Sequence, residues 1–210
     1  LSVHAQTVPH VNIWKKISLT QPIAPKFKSE LDVQHRSQNN FFGNNSPFEE
    51  NLLSSLRLTL MYQLNNRIAI HFSPFSYFNH HAIIQHENDL NRPSNHEIRF
   101  LAGLEVQGKL ANRLKIFNKT GVEYRDFDTN VNTVRLRHKI SLRYEINDEI
   151  SLQLYEEPLV NIVGVPIHHF FDHNRLALLG SYQPTKHWRV ETGYIHINRL
   201  SRNSAVTLEE

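Results

Sequence analysis

Residues 133–155 read TVRLRHKISLRYEINDEISLQLY, and polarity in this stretch switches at almost every position. Val134, Leu136, His138, Ile140, Leu142, Tyr144 and Ile146 share one parity, and Arg135, Arg137, Lys139, Ser141, Arg143 and Glu145 share the other. Side chains of a strand alternate between two faces, so the pattern predicts one apolar face and one strongly charged face. Asn147-Asp148 offers a tight turn, because both residues tolerate left-handed backbone angles. Alternation then resumes with Ile150, Leu152 and Leu154 against Ser151, Gln153 and Tyr155. Such a hairpin suits a wall between hydrocarbon and water.

The pattern recurs along the chain. Ile17 and Leu19, Leu31 and Val33, Leu56 to Leu64 at every second residue, Ile68 to Phe72, Ile98 to Val106, Val122 and Tyr124, Leu176 and Leu178, and Val190 and Tyr194 each alternate with polar neighbours. About ten strands and no convincing helix make the chain all-β. Short turns are expected at 21–25 and near Asn65, Lys109, Asn147 and Pro184. Longer polar loops are expected at 37–50, 79–95, 126–132, 159–172 and after Asn198. Short turns on one rim and long loops on the other are the pattern of an outer-membrane barrel.

Composition limits the classes available. The chain has 210 residues, a mean hydropathy of −0.46 and no cysteine. No apolar run approaches the ~18 residues of a membrane helix. A membrane strand shows only every second residue to lipid, so low hydropathy does not exclude a barrel. A formal charge of +3, spread along strands, gives no argument for nucleic acid as a partner. The missing cysteines remove disulfides and thiolate chemistry. Val3-His4-Ala5 before Gln6 looks like the end of an export signal, with cleavage expected after Ala5 and a single domain over 6–210.

Alternation alone does not say which face is inward. A soluble lipocalin-like barrel turns its apolar residues in, and a membrane barrel turns them out. Long charges of both signs on neighbouring strands favour the second arrangement, as does the strand length. The expected fold is an antiparallel up-and-down transmembrane β-barrel with about ten strands visible and 10–12 in the complete protein. Arg99, Glu105, Glu123, Arg125, Arg135, Arg137, Glu157, Arg175, Arg189 and Glu191 would then face the lumen by parity. Tyr62, Tyr144, Tyr182 and Trp188 would sit on the apolar side near the short turns, where an interfacial aromatic girdle belongs. One expectation conflicts with the usual barrel. If the first short turn is periplasmic, the first strand starts at the outer rim.

The Trp14 strand, Glu123-Tyr124-Arg125, Arg135-Leu136-Arg137, Leu142-Arg143-Tyr144, Glu157 with Asn161, Phe170-Phe171-Asp172-His173-Asn174-Arg175 and Gly193-Tyr194-Ile195-His196 carry a resemblance. In this order they resemble an uncharacterised family of Gram-negative outer-membrane β-barrels, catalogued only as a domain of unknown function. The resemblance implies residence in outer-membrane lipid. It also implies one further closing strand after the present end. It supplies no activity.

Candidate chemistry is sparse. His168, His169, His173 and Asp172, and separately His80, His81 and His86, could ligate a transition metal, but they lack a fixed ligand spacing, and no metal or cofactor is expected. Residues 194–199 are faintly similar to an outer-membrane phospholipase segment, with Asn198 where that segment has its serine, and Ser201 and Ser204 lie beyond. No catalytic residue is assigned. The sequence reading is a monomeric, non-enzymatic outer-membrane barrel with a charged, largely occluded lumen, acting structurally or in small-solute permeation. A lipid-modifying enzyme and a soluble periplasmic barrel for an apolar ligand are the alternatives.

Overall fold

A computed structural model of the chain describes residues 8–40, 42–128, 131–166, 169–200 and 207–209. The expected signal-sequence end, with Ala5, lies outside them. The strands are β1 (Val8–Pro9), β2 (Asn12–Ala24), β3 (Phe27–Gln38), β4 (Glu50–Gln63), β5 (Ile68–His80), β6 (Asn95–Ala111), β7 (Leu114–Phe127), β8 (Thr133–Glu145), β9 (Ile150–Val163), β10 (Phe171–Thr185), β11 (Trp188–Leu200) and β12 (Thr207–Glu209). β2 to β11 are the ten long strands. Each pairs antiparallel with its sequence neighbours, which makes one up-and-down, all-β sheet curled like a barrel wall. β2 and β11 share no ladder with each other among the described residues. β12 links these edges at one rim, antiparallel to the end of β11 and parallel to β1. The curl brings the first edge near the last hairpin, since the Trp14 ring of β2 lies 3.4 Å from the Arg36 guanidinium and 5.4 Å from that of Arg175 in β10.

Short connections at 25–26, 64–67, 112–113, 146–149 and 186–187 share one rim, because successive strands reverse direction. The longer connections, 39–49, 81–94, 128–132 and 164–170, share the other. β2 therefore begins at the long-loop rim. Three turns fall later than the alternation predicts. The cause is a ladder irregularity just before each turn, at Pro22/Ala24, Lys109/Ala111 and Tyr182/Thr185. A bulge ends the inside–outside pattern while backbone pairing continues. The asparagine turns also differ from expectation. Asn65 and Asn147 do not adopt positive φ. Asn65 Oδ1 instead accepts from the N–H groups of Arg67 (2.8 Å) and Ile68 (3.0 Å), and Asn147 Oδ1 accepts from those of Glu149 (2.9 Å) and Ile150 (2.6 Å). Side-chain capping of this kind replaces a left-handed residue.

Polarity is inverted relative to a water-soluble core. Among the described residues only eight apolar side chains are buried, against twenty polar or charged ones. Ile17, Leu104, Leu142, Leu152, Leu178 and Val190, on strands all around the sheet, point outward and stay exposed. Pro74 shifts this parity within β5. Proline has no N–H to give a ladder, so a bulge forms between Ser73 and Ser76 and the inward positions move from His71 and Ser73 to Ser76 and Phe78. The Ser73 hydroxyl donates to the Leu58 carbonyl at 2.6 Å, opposite the irregularity.

The long-loop rim is capped. Leu52 and Leu53 are both buried against Phe78 because the ladder slips between Arg36 and Ser37, and Ile83 of the 81–94 loop covers them. The same loop contains a short 3-10 turn, Glu87–Asn91. Asp89 holds it, with Oδ2 accepting from the N–H groups of Gln85 (3.0 Å) and His86 (2.8 Å) and Oδ1 lying 3.0 Å from Arg92 Nε. Burial alone would raise this carboxyl's pKa, but the two N–H donors and the Arg92 charge outweigh it and hold the pKa below the usual aspartate value. A depressed folded pKa contributes stability above the unfolded pKa, and that contribution is lost as pH falls through the folded value. Exchange protection at the Gln85 and His86 amides is therefore expected to weaken only below about pH 4. Asp89→Ala should abolish it at pH 7 while amide protection in β7 and β8 stays unchanged, as hydrogen-exchange mass spectrometry would show.

Candidate functional site

The concave face of the sheet is built from the charged parity of the strands. In its long-loop half three carboxylates organise the guanidinium groups. Glu97 of β6 accepts from Arg99 (Nε 2.6 Å, Nη2 2.8 Å), from Arg125 (Nε 2.5 Å, Nη2 3.1 Å) and lies 2.8 Å from His80 Nε2. Arg99 and Arg125 face each other directly across the β6–β7 ladder, and one buried carboxylate between them offsets the like-charge pair. Glu123 of β7 is wholly buried, accepts from Arg135 on two nitrogens and from Arg137 Nη1 at 3.4 Å, and lies 3.9 Å from Arg57 on β4. Glu157 of β9 accepts from Arg137 (Nη2, 2.6 Å) and Arg175 (Nη1, 3.1 Å). Arg135 also donates to Asp172 at 2.5 Å.

The order of partners follows from register. Glu123 is the cross-strand neighbour of Arg135, and Glu157 of Arg175. His71, Gly103, Gly121 and Arg137 form one row across four strands. The two glycines let the β6 and β7 backbones approach closely at this row. A Cβ on Gly103 would lie 2.9 Å from the Thr120 carbonyl. Phe78 packs under the plug with the Arg99 guanidinium 3.7 Å from its ring, a cation–π contact that shields part of the charge.

Of the residues expected in the lumen, Arg99, Glu123, Arg125, Arg135, Arg137, Glu157 and Arg175 are brought into this one network. Glu105 stands apart, 3.4 Å from His71. Arg189 and Glu191 lie near the short-turn rim, largely exposed and 3.9 Å from each other. Tyr62, Tyr144, Tyr182 and Trp188 are exposed at the short-turn ends of their strands. The sequence reading did not single out Glu97, Arg57 or Lys119, and it weighed His80 and Asp172 as metal ligands and not as members of an ion network. Glu97 shares the parity of Arg99, so alternation pointed to it. Nothing local pointed to Arg57, whose partner is three strands away.

Among the described residues neither alternative chemistry is given a site. His196 lies opposite Leu176 on the outward parity and makes no side-chain hydrogen bond to a described residue. Ser201 and Ser204 lie outside the described residues. His80 is engaged by Glu97, and no group of three or more His, Cys, Asp or Glu side chains suited to a metal occurs among the described residues. His168 lies outside them.

The fold and its interior define a class: an all-β, up-and-down, barrel-like protein with its charge on the concave side. The chain belongs to a family described as "Protein of unknown function (DUF2490)", which matches residues 11–206. No curated protein and no solved structure matches the chain.

The network gives a graded expectation. Removing one partner of a buried charge cluster strands the others, at about 3–5 kcal/mol. Glu123→Gln should lower unfolding stability by that amount, measured by urea titration of the refolded protein. Arg189→Gln, at the exposed pair, should change it by less than about 0.5 kcal/mol.

Proposed function

We propose that the chain is an outer-membrane β-barrel protein without enzymatic activity, whose charged lumen is largely occluded. It serves a structural role or passes only small solutes. The observation that carries this reading is the inversion of polarity. Apolar side chains cover the convex face of all ten long strands, while guanidinium and carboxylate groups fill the inside. In water such a convex face would be a very large exposed apolar surface, far beyond what a soluble monomer tolerates. In a bilayer it is the solvated side, and β3 to β10 have their backbone groups paired with strands on both sides. Strands of 12–17 residues exceed the 9–11 or so that a tilted membrane strand needs. Tyr62, Tyr144, Tyr182 and Trp188 support an interfacial belt at the short-turn rim.

The occluded lumen rests on the burial of Glu97, Glu123, Arg125 and Arg135 in the long-loop half. Five strands, β6 to β10, are joined there by charge-assisted hydrogen bonds, which leaves little free bore. Among the described residues no arrangement of nucleophile, base and oxyanion donors accompanies these charges, so the network reads as a plug and not as a catalytic constellation.

Two measurements test the reading. After cell fractionation the full-length protein is expected in the outer membrane, and it should need detergent to stay in solution. A protein soluble without detergent would overturn the membrane assignment and favour an apolar-ligand barrel. In planar bilayers the refolded protein should give no stable conductance, and a stable open level would refute the plug. Leu178→Arg on the convex face of β10 should destabilise the membrane-inserted form by about 2–4 kcal/mol if the position lies near the bilayer midplane. The same change should have little effect on a soluble form.

A further inference from the structure

Outward polar side chains follow a rule on β2 to β6. Lys15, His35, Ser54, Asn79 and His96 form one register row across these strands, each within five residues of the long-loop end. Below that row the strand middles are apolar, as at Ile17, Val33, Leu58 and Leu104. Strand β9 breaks the rule. Glu156 shares the outward parity of Leu152 and Leu154, stands in the middle of the strand and is exposed. Asn174 of β10 donates to its Oε1 at 2.9 Å. Among the described residues no basic side chain lies within 4.0 Å of it, and no other donor reaches it. A carboxylate turned toward hydrocarbon with a single donor is costly.

The same sector has a notch. Gly180 of β10 and Thr192 of β11 oppose each other on the outward parity, with Leu178 and Tyr182 on either side of the glycine. A Cβ on Gly180 would come no closer than 3.8 Å to the Thr192 carbonyl and 3.9 Å to Leu152 Cδ2. The packing of the chain on itself therefore does not demand glycine here. Small residues on an apolar wall let a second surface approach closely, and dispersion then replaces lipid contacts.

The sector is also complementary to itself. Glu156, Leu176 and His196 form one row across β9, β10 and β11, with the acid on one side of Leu176 and the imidazole on the other. A two-fold axis beside Leu176 would set the β9 side of one copy against the β11 side of another. Each Glu156 would then face Tyr194, His196 and Asn198, which offer donors at three successive outward positions. An axis along the membrane normal keeps every residue at its own depth, so a second copy brings these donors to the level of the acid.

We propose that β9, β10 and β11 form the interface of a homodimer, with Leu176 and Gly180 beside its two-fold axis. This replaces the monomer expected from the sequence. It rests on the membrane reading above, because in water Glu156 would need no partner.

The chain has no cysteine, so a single introduced one reports one position. Leu176 and Leu104 are similarly exposed, at 48% and 44%. In isolated outer membranes, Leu176→Cys should form a disulfide-linked dimer on copper–phenanthroline oxidation, and Leu104→Cys on β6 should not. In uncharged detergent, Glu156→Leu and Gly180→Leu should each raise the dimer dissociation constant about tenfold or more by sedimentation equilibrium, and Leu104→Ala should leave it within about twofold. Neither interface change should disturb the far-ultraviolet circular dichroism, since one removes a charge from the wall and the other extends into open space. The proposal is overturned by no self-crosslink at Leu176→Cys, equal crosslinking at Leu104→Cys, capture of a different protein by Leu176→Cys, or unchanged dissociation constants. Cell fractionation separates the two readings. A protein absent from the outer membrane fails the location and the dimer with it, whereas a membrane-held protein without the Leu176→Cys dimer fails the interface alone.

Discussion

Charge inside the curl is the constraint on which the rest of the structure depends. Arginines from β4, β6, β7, β8 and β10 share three carboxylates, Glu97, Glu123 and Glu157, and each carboxylate is held by at least two cations. A carboxylate of this kind is tolerable away from water only when its lone pairs are filled by charged donors. The guanidinium fork suits the task, since it offers several N–H groups in one plane and can serve two acceptors at once, as Arg135 does with Glu123 and Asp172. The ion pairs thereby fix how tightly the sheet curls. A flatter sheet would separate Arg57 on β4 from Glu123 on β7, which are not ladder neighbours.

The convex face is the counterpart of that interior. Among the described residues nothing packs against its exposed Leu, Ile and Val side chains, and this outward apolar face is what the proposed membrane setting rests on. The barrel wall and its charged contents are thus one design seen from two sides: period-two alternation supplies both faces at once. Departures from the alternation are local and chemical. Pro74 interrupts a ladder, and Ser73 donates to the carbonyl opposite. A slipped register at Arg36/Ser37 turns two successive leucines inward beneath the 81–94 loop. These exceptions gather in the long-loop half, where the lumen is filled. Toward the short turns Lys119 lies between Glu105 of β6 and Lys139 of β8 in the ladder.

Much of this was legible before any coordinates. The strand number, the all-β class, the alternation of short and long connections and the parity of Arg99, Glu123, Arg135 and Glu157 all follow from local pattern. Turn positions were less legible, because bulges at Pro22/Ala24, Lys109/Ala111 and Tyr182/Thr185 let pairing outlast the apolar signal. Asn65 and Asn147 were correctly read as turn residues, but by the wrong device: their side chains cap the turn, and their backbones stay out of the left-handed region. Arg57 was missed because its partner is remote in sequence and carries no local mark, and His80, weighed as a metal ligand, is instead held by Glu97 of the next strand.

By itself the sequence determined the two-faced strand, since the polarity of successive residues is a covalent fact and a strand's geometry converts it directly into two surfaces. It could not determine which carboxylate serves which arginine. That depends on register and curl, which bring Glu123 of β7 to Arg57 of β4 and leave Lys119 facing Lys139. Those distances exist only once the sheet has curled around its charges, because Coulomb and hydrogen-bond energies depend on separation in space and not along the chain.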